Sequence, residues 1–238
     1  MSNTNAEAEY ISFWDDEAWP RLHARFKEIA ERGLAPLVSE SVALWCFADA
    51  VRDALQQIRV DLSSAKWDAE CGIDGNDIEL TIAGKRFVVE GKHVKDMSRT
   101  ARSSSTATLK GLVEDLVKLC AAEDRSVERL LVLTAIASTK GSWTEWERQM
   151  NGVPDGLWEK GAQGPMPWPH YFDRSGTWSI GVPELGSLWM AFHKTDAGSY
   201  WERLKRNGLK RIELERDVDR TGDHARLHVW SVRPVFGE

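Results

Sequence analysis

The stretch that decides the fold begins Gly75-Asn76-Asp77-Ile78-Glu79-Leu80 and ends Lys85-Arg86-Phe87-Val88-Val89-Glu90-Gly91-Lys92-His93-Val94. Asp77 opens the run Ile78, Leu80, Ile82, and the Ala83-Gly84-Lys85 link that follows is short enough for an antiparallel hairpin. Phe87, Val88 and Val89 form a continuous apolar run, as in a strand buried on both faces. An acid at the start of one strand and a Glu-x-Lys at the end of the next place Asp77, Glu90 and Lys92 together at one end of the hairpin. Side chains two residues apart on a strand share a face, so Glu90 and Lys92 point the same way. Gly91 between them leaves the backbone open to a close approach by an ion or ligand.

Those residue types carry a definite chemistry. Two carboxylates hold a hard divalent cation through oxygen. An ammonium beside them orients or deprotonates a water and offsets charge on a phosphate in flight. The expected chemistry is therefore metal-dependent hydrolysis of a phosphodiester.

The flanks extend the pattern. Residues 39 to 58 predict a helix, with Val42, Trp45, Val51, Leu55 and Ile58 on or near one face and Phe47 and Ala48 widening the stripe. A strand is expected around Lys66 to Cys71, ahead of the hairpin. Thr108 to Glu123 predicts a second helix, its apolar side supplied by Leu109, Leu112, Val113, Leu116, Val117, Leu119 and Cys120. Arg129 to Ala137 is short and apolar enough for a buried strand.

The resulting order, α-β-β-β-α-β over roughly residues 36 to 138, resembles the core of the PD-(D/E)xK nuclease superfamily. The matching residues are Asp77 for the first acid, Glu90 for the second and Lys92 for the lysine; where the family has a proline before the first acid, this chain has Asn76. Asp74 is the competitor for the first acid, and the turn chemistry of an Asp-Gly pair with Gly75 explains it adequately. The resemblance implies an α/β fold with a restriction-endonuclease-like core, a central mixed sheet flanked by helices. It also implies Mg²⁺ or Mn²⁺ as cofactor, held by Asp77, Glu90 and the Gly91 carbonyl. Glu40, in the first turn of the earlier helix, matches an additional acid that the superfamily often turns toward the metal. The alternative is that Glu40 complements the helix dipole behind a Ser39 cap.

Composition sets the outer bounds. The 238 residues suffice for a large domain, read here as a helical segment over 1–35, a nuclease core over 36–138 and a Trp-rich α+β extension over 139–238 packed on the core. No apolar run approaches ~20 residues and the polar N-terminus has no signal-peptide core, which predicts a cytoplasmic protein with no membrane partner. Cys46, Cys71 and Cys120, scattered in apolar elements, are expected as reduced core thiols.

A net charge of −6 is unusual for a protein that binds DNA, because phosphate neutralisation supplies much of the affinity. The segment after the motif is locally basic and hydroxyl-rich, and Lys95, Arg99, Arg102 and Lys110 are the candidate DNA contacts. The alternatives are a solvated loop, or a partner such as a helicase or sensor subunit that brings the nucleic acid. A homodimer or hetero-complex is expected.

Residues 139 to 176 are punctuated by Gly, Pro and Trp, which predicts an irregular ordered insert. Beyond it, strands are expected at Thr177 to Val182 and Leu188 to His193, a helix at Tyr200 to Arg206, and a hairpin of Arg211 to Val218 with Arg226 to Val232. Most of the twelve tryptophans follow residue 140; core packing is the first expectation for them, base stacking or a partner surface the second. His224 and His228 would be ~13 Å apart on a strand, too far to share one zinc. The expectation is a deoxyribonuclease serving restriction or anti-phage defence, and its rival is a non-catalytic nucleic-acid-binding or assembly subunit on the same fold.

Overall fold

The computed structural model describes residues 13–57, 66–69, 77–82, 84–94, 104–121, 126–136, 177–183, 185–186, 189, 199–221 and 225–237. Helix α1 (Trp19–Glu31) follows a π-helical turn at Phe13–Ala18. Its buried residues, Trp19, Leu22, Phe26 and Ala30, recur at the spacing of one helical face. Gly33, at φ 73°, ends it in the left-handed region, where Gly33 N–H bonds the Ala30 carbonyl and Leu34 N–H bonds the Ile29 carbonyl.

Helix α2 (Glu40–Gln57) starts where the sequence places it, with Ser39 Oγ accepting the Val42 N–H at 3.3 Å. Its inward face shares Phe47, Val51 and Leu55 with the expected one but turns away from Val42 and Trp45. Ala43, Cys46, Phe47, Ala50, Val51, Ala54 and Leu55 are buried, while Val42 and Trp45 are exposed, Trp45 by 64%. The three alanines let the helix lie close against its neighbours, and a tryptophan on that face would hold it away. Size, not hydrophobicity alone, sets the phase of this helix.

The strands are β1 (Lys66–Ala69), β2 (Ile78–Ile82), β3 (Lys85–Val94), β4 (Glu128–Ile136), β5 (Thr177–Gly181), β6 (Leu209–Thr221) and β7 (Ala225–Phe236). Two further helices are α3 (Ser104–Ala121) and α4 (Ser199–Arg206). The strands form a seven-stranded sheet in the order β1-β2-β3-β4-β7-β6-β5. β3 and β4, which flank α3 in the chain, are parallel; every other pairing is antiparallel. The protein is thus an α/β fold with a mixed sheet flanked by helices. The late strands continue the same sheet, because β7 pairs with β4 from Leu130↔Ser231 to Ile136↔Ala225. Of the expected strand at Leu188 to His193 only Trp189 is described, and it is helical. Residues 139–176 lie outside the described residues.

Two cores follow from the period of two. Val88, Leu131, Leu133, Trp230 and Val232 face α3 and α4, whereas Phe87, Val89, Leu130, Val132 and Val229 face α1 and α2. Full burial of side chains like these contributes ~1.5–3 kcal/mol each. Trp14 stacks on Trp19 at 4.9 Å and meets Phe87 edge-on at 5.6 Å, which ties the N-terminal helices to β3. Among the described residues, no helix is long and apolar enough to cross a membrane.

Candidate active site

The hairpin register decides where the acids lie. Ile82 pairs with Lys85 across Gly84, whose φ of 82° suits glycine alone, and Ile78 pairs with Val89. Asp77 therefore falls beside the Glu90-Gly91 peptide, and its Oδ2 accepts the Gly91 N–H at 2.8 Å. The absent side chain at Gly91 serves packing: a Cβ there would stand 2.5 Å from Leu44 Cδ2 of α2. A smooth inner surface at this point of β3 brings α2, and with it Glu40, up to the sheet.

Glu90 and Lys92 leave the other face of β3, toward α3. Glu90 is 1% exposed, and Lys118 Nζ of α3 lies 2.7 Å from its Oε1. Burial, then the negative charge of Asp77, pushes the Glu90 carboxyl up from 4.5 to about 9; Lys118 opposes the shift and Asp115 adds to it. Asp115, also on α3, rises from 3.8 to about 7, mainly through burial, with Lys92 opposing and Asp77 and Glu40 adding. Among the described residues its buried Oδ2 has no hydrogen-bond partner.

Lys92 joins the two faces. Its Nζ lies 3.2 Å from Glu40 Oε2 and 3.6 Å from Asp115 Oδ2. Burial alone would lower the ammonium's pKa, but the carboxylates of Asp115, Glu40 and Asp77 together outweigh it and raise the value. Lys92 is thus held as a cation. As a source of positive charge it is well placed; as a base it must first be released from those carboxylates.

Asp77, Glu90, Lys92 and Glu40 converge as one cluster. Glu40 sits in the first turn of α2 and reaches the cluster through its ion pair with Lys92. Lys95, Arg99 and Arg102 lie outside the described residues, and Lys110 falls on α3. Sequence reading missed Gly111, Asp115 and Lys118. Their spacing, i, i+4 and i+7, put them on one face of a helix whose other residues here are largely apolar. Gly111 was a signal as well, since glycine inside a helix costs about 1 kcal/mol relative to alanine.

Among the described residues, no three His, Cys, Asp or Glu side chains are gathered to hold a metal. The donors nevertheless suit a hard cation. Mg²⁺ keeps several waters and is commonly held by one or two carboxylates, and Asp77 with Glu90 supplies two, with the Asp115 charge close enough to act on Glu90. Each carboxyl that burial and like charge have raised gains by acquiring a cation in place of a proton.

Other candidates are structural. His228 is buried and stacks on Trp230 at 5.8 Å, and His224 lies outside the described residues. Cys46 and Cys120 are buried free thiols, and burial pushes Cys120 up to about 12, so neither is a ready nucleophile. Trp14, Trp19, Trp189, Trp201 and Trp230 are core residues. A cleft of about 310 Å³ at the start of β4, lined by Glu128, Arg129, Glu213, Glu215 and Arg233, contains none of the clustered residues.

No family model, curated protein or solved structure matches this chain. The cluster's own chemistry is what bears on function.

Proposed function

We propose that the protein is a metal-dependent deoxyribonuclease that hydrolyses DNA phosphodiester bonds, with a restriction-endonuclease-like core and a role in restriction or anti-phage defence. The observation that carries the reading is the convergence of two carboxylates, Asp77 and buried Glu90, with the Lys92 ammonium at one end of a hairpin. A Mg²⁺ or Mn²⁺ ion bound by Asp77 and Glu90 would supply water activation and neutralise charge at the phosphoryl oxygens. Lys92, held protonated, orients the attacking water and offsets the negative charge that develops on the phosphate. Glu40 and Asp115 hold that ammonium in place. The cluster lies on the strand that enters the β3-α3-β4 crossover, and in α/β sheets ligands bind beyond the carboxyl ends of such strands.

Lys95, Arg99, Arg102 and Lys110 would contact phosphates and fix the register of the DNA. With a net charge of −6, a helicase or sensor partner that delivers the DNA fits the reading, as does a homodimer that cuts both strands. One observation favours the rival, a non-catalytic binding or assembly subunit: Lys118 already sits on Glu90. Incubation of the purified protein with linear, supercoiled and single-stranded DNA in Mg²⁺, Mn²⁺ or EDTA decides between them. Cleavage that needs the metal and is abolished in Asp77→Ala and Glu90→Ala supports the nuclease. Full cleavage in excess EDTA, or none under any metal, rules it out.

A further inference from the structure

Gly111 sits in the interior of α3, a position where glycine weakens a helix and calls for a reason. A common reason is close packing of the helix against another backbone. Here a Cβ at position 111 would instead meet Lys92: its three nearest atoms would be Lys92 Cε at 2.5 Å, Nζ at 3.0 Å and Cδ at 3.6 Å. The lysine therefore lies lengthwise over the bare backbone of Gly111. One turn further along the same face, Asp115 Oδ2 stands 3.6 Å from the ammonium, and Glu40 of α2 receives it from the other side at 3.2 Å.

We propose that Gly111 is a positioning residue for Lys92: lacking a side chain, it opens the channel across α3 through which the lysine reaches Glu40 and Asp115. This rests on the reading of Lys92 as the site's working ammonium. The atoms in the way of a methyl group belong to the end of a flexible side chain, not to a strand or a core residue. An alanine at 111 is accommodated by moving Lys92, and the helix keeps its place.

The test is a double-mutant cycle of Gly111→Ala and Lys92→Ala on the full chain, read by the midpoint of denaturation. In the Lys92→Ala background, Gly111→Ala meets no obstruction and raises the midpoint, as expected of alanine in a helix. With Lys92 present the gain is reduced or reversed. A second measurement follows Lys92 directly: its acylation by an N-hydroxysuccinimide ester, quantified by peptide mass mapping, is several-fold faster in Gly111→Ala, because the amine is displaced from its two carboxylates. On DNA, Gly111→Ala lowers kcat roughly 10- to 100-fold, the effect of a misplaced catalytic group, and leaves KM and metal dependence unchanged. Equal midpoint gains in both backgrounds with an unchanged acylation rate would overturn the proposal. If the wild type cleaves no DNA, the nuclease reading fails on its own, and the cycle and the acylation rate still decide the role of Gly111.

Discussion

Lys118 Nζ lies 2.7 Å from Glu90 Oε1, so the most buried carboxylate of the cluster already carries a cation supplied by the chain. That ammonium is tethered to α3, and its pKa is raised because the Glu90, Asp77 and Asp115 charges overcome its burial. A divalent ion bound at Glu90, as proposed, would compete with it. At the proposed metal site the pair would stabilise the metal-free protein and oppose loading in the same contact.

Lys118→Ala is therefore expected to have opposite effects on stability and on metal response. Removing one partner of a buried ion pair costs ~3–5 kcal/mol, a loss expected in full only above about pH 9, where Glu90 is ionised, and smaller below it, where Glu90 holds a proton. The melting temperature should fall, and Mn²⁺ should restore more of it than it adds to the wild type. Thermal denaturation with and without Mn²⁺ measures both. An identical Mn²⁺ response in the two proteins would mean that Lys118 does not compete for the site.

The raised carboxyls fix the sign of a pH dependence. Glu90 goes from 4.5 unfolded to about 9 folded, and Asp115 from 3.8 to about 7. The folded state binds these protons more tightly, so their contribution to stability is fully present in acid and is lost as pH rises through those two windows. Glu90→Gln keeps the shape of the side chain and removes its charge. It should melt above the wild type near pH 9 and converge with it toward 4.5, below which both carry a neutral group. A gap independent of pH in a series of melts would show that Glu90 is not held protonated by burial.

The hairpin was legible because β-structure repeats every two residues and the turn at Gly84 fixes the register, so Asp77, Glu90 and Lys92 could be placed from their spacing alone. The phase of α2 was legible only in part: Phe47, Val51 and Leu55 are buried as expected. Hydrophobicity pointed to Val42 and Trp45, whereas the face that packs is the one with Ala43, Ala50 and Ala54, and the fit of small residues depends on what lies opposite. The α3 contribution was hidden for a related reason. Asp115 and Lys118 look like a solvated helix face until β3 is laid against them, because only the sheet supplies the Glu90 and Lys92 charges they answer.

Gly91 makes a further requirement explicit. In Gly91→Ala the new Cβ would stand 2.5 Å from Leu44 Cδ2 and 4.0 Å from Asp77 Oδ2. Overpacking of this kind costs about 1–3 kcal/mol. Leu44 has room to be trimmed, being only half-buried, so Leu44→Ala should recover much of the loss in the Gly91→Ala background while costing stability on its own. Denaturant unfolding of the two single variants and the double variant gives the coupling. Additive losses would place the strain elsewhere than at Leu44.

Lys92 separates charge from geometry in the proposed chemistry. Lys92→Ala removes the ammonium that Glu40 and Asp115 hold, so the cleavage rate should fall steeply although both Asp77 and Glu90 are intact. Metal affinity should be kept or strengthened, because a positive charge ~4 Å away opposes a divalent cation by ~2 to 8 kcal/mol depending on the local dielectric. Lys92→Arg keeps the charge but should recover little. A planar guanidinium is broader than an ammonium and cannot lie in the same way over Gly111. Calorimetric titration with Mn²⁺ beside single-turnover cleavage distinguishes the outcomes. Near-normal turnover of Lys92→Ala, with the metal still required, would mean that the ammonium is structural and that another group activates water.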